Sequence, residues 1–224
     1  MNFGEVKIVN SLHSILAHTI TVDGKKFSKG RIISREDQKY LIKNNIDSLI
    51  CVTLTKQDVH EDNAANILAK NFNNTSIAIE KAFTGRSNIL ANESGLLVIN
   101  EDNIRKFNEI SNSITIATLN NNSKVTKGEM IATIKIIPFS VKEKSIIALK
   151  KINFKKSLYI HPFLEKKCAL LLTHSNKENI KLNSISEKRV KDRLQNLNCT
   201  LELIKTCKHD TNDITKSIKY FLNK

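Results

Sequence analysis

Aromatic residues make up only 5% of this 224-residue chain and tryptophan is absent, so base-stacking platforms for single-stranded nucleic acid are poorly supplied. The six glycines form neither a Walker-type loop nor a dinucleotide fingerprint, which excludes both of those phosphate-cradling motifs. The four cysteines, Cys51, Cys168, Cys199 and Cys207, never stand as a close pair. That spacing supports neither a zinc ribbon nor a disulfide framework, and buried thiols are expected. The six histidines lack metal-ligand spacing with a nearby cysteine or carboxylate. No stretch approaches the length of an uncharged membrane span, and the segment from Met1 to Lys7 is charged and strand-like, unlike a signal peptide. A soluble, cytoplasmic chain with no membrane partner is the expectation.

What the chain has in excess is positive charge: 36 lysines and arginines against 22 acidic residues, a formal +14. Such a balance ordinarily points to a polyanion. Here lysine, asparagine and isoleucine are all abundant while alanine, glycine and proline are scarce, the signature of an A/T-rich codon bias. The lysines are also scattered along the chain, so no specific nucleic-acid partner is expected.

Periodicity divides the chain into four parts. Residues 1–56 read as a small α+β unit: strands at Phe3–Ile8 and Ile15–Val22, a hairpin at Asp23-Gly24, a helix capped by Ser34 with Asp37, and a strand at Ile46–Leu54. Residues 57–140 read as a second α/β unit. Its first helix begins at Asp58 or His60, with Ala64, Leu68 and Phe72 on one face. Strands at 77–83, 95–99 and 114–119, a helix over 101–110 and the longest β run, Met130–Ile137 halted by Pro138, complete it. Residues 141–165 carry a helix over 141–153 and a strand at 157–161.

The remainder, 166–224, opens with the apolar run Cys168–Thr173, a strand buried on both faces. Ser184 and Glu187 mark a capping box, with Val190, Leu194 and Leu197 on one helical face. A second strand spans 200–206, and a second helix follows an Asp210 or Thr211 cap. Strand, helix, strand, helix is the beginning of a parallel α/β sheet that needs more strands to cover its edge and its helices. A truncated domain is therefore expected, with an open strand edge that favours a homo-oligomer.

Two loops are candidate anion sites. Thr84, Gly85, Arg86 and Asn88 place one guanidinium beside a flexible turn and small polar groups, and Thr173, His174, Ser175 and Lys177 offer hydroxyl and ammonium donors after a strand. The bland readings are a tight turn with a surface ion pair, and a plain strand-to-helix connection. Asp58, Glu61 and Asp62 cluster at a helix start, where carboxylates usually serve the helix dipole. Spacing alone assembles no catalytic constellation.

Several strings carry a family resemblance: Phe3-Gly4-Glu5, Ile15-Leu16-Ala17-His18, Lys29-Gly30-Arg31 with Asp37, Glu61-Asp62 with Ala64-Ala65, Phe83-Thr84-Gly85-Arg86 with Asn88, Ala117-Thr118-Leu119, and Ala132-Thr133 with Lys135-Ile136-Ile137-Pro138-Phe139. Together they resemble bacterial molybdopterin-binding proteins of molybdenum cofactor biosynthesis, relatives of molybdopterin molybdotransferase, some of which continue into a nucleotidyltransferase domain. The resemblance implies an α/β fold: a mixed α+β amino-terminal region followed by an incomplete parallel α/β molybdopterin-binding domain. It also implies molybdopterin or adenylylated molybdopterin as ligand, molybdate as co-substrate, Mg2+ as metal, and a transferase activity. The cofactor-binding residues implied are those of the two loops. The family's glycine-rich phosphate loop after the third strand has no counterpart, and 173–177 lacks its Thr-Gly-Asp-Glu type string. A non-catalytic binding or interaction module is the alternative.

Overall fold

The computed structural model describes residues 1–175 and 180–224, with side chains for all of these but 180–183. They fall into two units, Met1–His161 and Pro162–Lys224. Helices and strands are mixed throughout; the sheets are small and mostly antiparallel, with a single parallel pair among the described residues. Among the described residues no helix is long and apolar enough to cross a membrane.

In the first unit, β1 (Asn2–Lys7) and β2 (Ile15–Leu16) flank β5 (Ser48–Thr53), both antiparallel to it. The strand expected over 15–22 is interrupted: β3 (Ile20–Val22) leaves that sheet and pairs with β4 (Lys25–Phe27). The hairpin turn between them is Asp23-Gly24, with φ of 46° and 74°, the positive values a tight two-residue hairpin demands. Helix α1 (Arg35–Lys43) starts as its sequence dictates: Ser34 accepts from the Asp37 N–H, and the Asp37 carboxylate accepts from the Ser34 N–H. Arg31 clamps that carboxylate with two bonds of 2.8 Å, and with its side chain only 2% exposed, Asp37 is held below the usual carboxylate range, chiefly by Arg31. Ile8, Leu16, Phe27, Ile33, Leu41, Leu49 and Cys51 close this core.

A larger core follows. Strand β6 (Asp58–His60) leads directly into α2 (Glu61–Lys70), with His60 as N-cap; Nδ1 of its ring accepts from the Asp62 N–H. Strands β7 (Ile77–Ile79) and β8 (Arg86–Ala91) begin a four-stranded antiparallel sheet. Next come β9 (Gly95–Ile99), α3 (Glu101–Glu109), β10 (Ile114–Thr118) and β11 (Lys124–Val125). Strand β12 (Met130–Ile136) lies between β10 and β8. The helix expected over 141–153 begins later, because Ser140–Lys142 is used as β13, paired with β6, and α4 spans Glu143–Lys150. Strand β14 (Leu158–Pro162) joins β9 and β11. Phe72, Phe107 and Phe154, all fully buried, meet with ring centroids 5.0–5.5 Å apart at the centre. The recurring helix-then-strand pattern thus folds as antiparallel sheets, some from neighbouring strands such as β7 and β8 and others, such as β8 with β12 and β6 with β13, from strands distant in the chain.

The second unit holds β15 (Lys166–His174), α5 (Ile180–Gln195), β16 (Cys199–Lys208) and α6 (Thr211–Leu222), with β15 and β16 parallel. The longest strand is β16, not the 130–137 run. Ser184 is no N-cap: α5 is already helical four residues earlier. Asp210 does cap α6, accepting from the Asn212 and Asp213 N–H groups. No apolar side chain among the described residues of this unit is fully buried, because two strands give its helices too little sheet to cover. Cys168, Cys199 and Cys207 are accordingly half-buried; of the four thiols Cys51 alone meets the expectation of burial.

Candidate functional site

Residues from four distant stretches meet in a pocket of about 420 Å³ within the first unit. Its lining is Lys29 and Gly30 after β4, Glu61 at the start of α2, Thr84, and Lys135 with Ile137, Pro138 and Phe139 at the end of β12. Two ladders bring the last three of these stretches together. Strand β8 pairs with β12 so that Arg86 lies opposite Lys135, and β6 pairs with β13 so that the Glu61 N–H donates to the Phe139 carbonyl at 3.0 Å.

Thr84 and Gly85 are the centre of a two-residue turn in which Phe83 and Arg86 exchange backbone bonds, and both have positive φ, 50° and 70°. The turn is pinned from three sides: the Gly85 N–H donates to Asp62 at 2.7 Å, the Ile136 N–H donates to the Gly85 carbonyl at 2.7 Å, and the Lys135 ammonium donates to the Thr84 carbonyl. A methyl group on Gly85 would sit 2.7 Å from Glu61 Oε2 and 3.0 Å from the Ile136 carbonyl oxygen, so space as well as the positive φ favours glycine here.

Glu61 is half-buried, and its carboxylate makes no hydrogen bond or ion pair among the described residues. Burial first, then the neighbouring Asp62, push its pKa up, against the opposing pull of Lys135, His60 and Lys29. A carboxyl group with a raised folded-state pKa costs stability at neutral pH and costs less as pH falls through that value. Glu61→Gln is therefore expected to stabilise the fold by roughly 0.5 kcal/mol at pH 7, a gain that shrinks as the pH is lowered in chemical denaturation. Nearby, His60 Nε2 and Ser140 Oγ, on directly paired residues, are both buried without a hydrogen-bond partner.

Of the predicted amino-terminal site residues, Thr84 lines the pocket, Gly85 shapes it, and Arg86 stands exposed at its strand edge. Asn88 is engaged elsewhere: its amide donates to Glu80 and accepts from Thr133. Lys29, Glu61, Lys135 and Phe139 were not legible as site residues. Their sequence signal is that each belongs to a string carrying the resemblance, and for Glu61 also its place in the helix-start carboxylate cluster.

The other predicted loop lies in the second unit, at the carboxyl ends of β15 and β16. His174 and Ser175 line a pocket of about 350 Å³ there, with Lys208, His209 and Asp210. Thr173 shares a 2.9 Å hydrogen bond with His209 Nδ1, and His174 Nδ1 is buried without a partner among the described residues. Lys177 lies outside the described residues. Comparison of the chain with protein-family models, curated proteins and solved structures found no match.

Proposed function

We propose that this chain is a molybdopterin-binding protein of molybdenum cofactor biosynthesis, related to molybdopterin molybdotransferase, whose last unit, with its two parallel strands, is a molybdopterin-binding α/β unit. One observation carries the reading beyond the resemblance: Thr173, His174 and Ser175 lie with Lys208 and His209 at the carboxyl ends of two parallel strands, where open α/β sheets hold ligands. The ammonium of Lys208 and the ring nitrogens of His174 and His209 suit the terminal phosphate of the pterin. Asp210 opposes it, since its carboxylate already fills the N-terminus of α6.

The residues present do not fit the divalent metal of molybdate insertion. Among the described residues this pocket supplies one carboxylate, Asp210, which is spent as a cap, and no group of three metal-ligating side chains exists. The proposed role is ligand binding, and no metal-assisted step is assigned. A non-catalytic docking module is the second reading, favoured by the absence of any fully buried apolar side chain among the described residues of the last unit.

Titration with molybdopterin and with its adenylylated form tests both. Saturable binding is expected, weakened about tenfold by Lys208→Ala, the loss of one charge-assisted hydrogen bond. Binding without molybdate-dependent turnover agrees with the ligand-binding role. Absence of binding at millimolar ligand would reject it and leave the docking module.

A further inference from the structure

The amino-terminal pocket has a charge arrangement that its own fold leaves unbalanced. Lys135 and Arg86 face each other across β12 and β8, a like-charge pair that is unfavourable in an isolated ladder. Neither forms an ion pair with a carboxylate among the described residues. Lys29, across the pocket, rests its ammonium 5.3 Å from the centroid of Phe139 and likewise lacks a carboxylate bridge. Glu61, in the same lining, is unpaired although both lysines act on it electrostatically. The other side of the cavity is apolar, from Ile137, Pro138 and Phe139. About 420 Å³ falls within the range of small-ligand sites, which combine an apolar wall with a few convergent polar groups.

We propose that this pocket binds a small phosphorylated molecule, its phosphate held by Lys29 and Lys135 and its organic body against Ile137–Phe139, with Glu61 taking up a proton as the phosphate enters. The proton follows from electrostatics. Glu61 is flanked by Asp62 on its own helix, by His60 before it, by Lys29 from the loop after β4 and by Lys135 from β12. Empty, the two lysines help to keep it ionised. A dianion placed between them cancels their field and adds a third negative group beside Glu61 and Asp62, so protonation becomes the cheapest relief. The neutral carboxyl then donates an O–H to a phosphate oxygen, a bond the carboxylate is unable to make. Gly85 keeps that position open, because any Cβ there would press on Glu61 Oε2. The inference does not rest on the molybdopterin reading, whose pocket lies in the other unit.

The test is calorimetric titration of the full chain with phenyl phosphate and, to count protons, with inorganic sulfate, which does not titrate near neutral pH. Each is run at pH 7 in two buffers of different ionisation heat. Both anions are expected to bind and to compete. Lys29→Ala and Lys135→Gln should each weaken binding about tenfold, while Lys208→Ala leaves it unchanged. Sulfate should bind with net proton uptake in the wild type and without it in Glu61→Gln. Thermal melting of every variant establishes that it is folded, and Lys29→Ala, on an exposed loop residue, decides the question should Lys135→Gln fail. No binding at millimolar phenyl phosphate, or unchanged affinity in Lys29→Ala, would overturn the site. Binding lost in Lys208→Ala but kept in Lys29→Ala would also overturn it and move the anion to the last unit. Sulfate binding without proton uptake in the wild type would remove Glu61 from it.

Discussion

Gly95→Ala is expected to lower the stability of the first unit by about 3 kcal/mol, read as a fall in the urea midpoint at unchanged slope. Gly95 is buried at the head of β9, in the sheet that β9 forms with β11 and β14. A Cβ placed there would lie 2.2 Å from the His161 carbonyl oxygen, 2.8 Å from the carbonyl carbon and 2.7 Å from Ile160 Cγ2. Two of those atoms are backbone, so no rotamer change relieves the clash, and strand β14 itself must move. Its displacement would disturb Ile160 and Leu158, both fully buried in the larger core. Gly4→Ala is the matched control. It also lies in a strand, with nothing within 4 Å of the added carbon and no positive φ, and it is expected to be neutral within about 0.5 kcal/mol. Equal midpoints for the two variants would show that β9 and β14 do not approach as described.

Local chemistry and long-range pairing were unequally legible in the sequence. The Asp23-Gly24 turn and the Ser34–Asp37 capping box depend on residues within four positions of each other, and both form as their types dictate. Ser184 and Glu187 have the same spacing yet lie inside a helix, because a capping box needs an extended residue at its first position and spacing does not supply one. The alternation of helix and strand over 57–140 was legible as element order, but strand direction is a property of pairing. There the ladders are antiparallel, and those of β8 with β12 and β6 with β13 join strands far apart in the chain. The same reason hid the amino-terminal site. Thr84 and Gly85 stood out as a loop, whereas Lys29, Glu61 and Lys135 are separated by tens of residues and resemble the scattered lysines and helix-start carboxylates of any basic protein. The registers of β8 with β12 and of β6 with β13 bring Glu61 and Lys135 to one cavity, which the loop carrying Lys29 completes.

Asp58 shows how firmly one wall of that region is anchored, and Asp58→Asn is expected to cost about 2 kcal/mol at pH 7, the loss of charge-assisted hydrogen bonds to partners that stay partly exposed. Its side chain is only 2% exposed, yet it meets the Met1 amino group at 2.6 Å and the Lys142 ammonium at 2.9 Å. Thr55 adds its N–H at 2.8 Å and its hydroxyl at 2.6 Å. Burial pushes the carboxyl upward, but the hydrogen bonds from the amino terminus, Thr55 and Lys142 outweigh it and hold the group well below the usual carboxylate range. The sign of the pH effect follows. Above the unfolded value of about 3.9 both states are ionised and the contribution is complete. As pH falls below it, the unfolded chain takes up a proton that the folded chain refuses, so stability is lost progressively. The wild-type curve should therefore drop more steeply than the Asp58→Asn curve in acid, the two converging as pH falls. Asp37, also depressed by its partners, contributes to both curves and cancels in the difference. Parallel curves from pH 7 to pH 2 would mean that Asp58 is not held ionised by this ring of donors. Because Asp58 and Lys142 close the same β6–β13 ladder that positions Glu61 against Phe139, the variant should also weaken phenyl phosphate binding, although Asp58 lies outside the pocket lining.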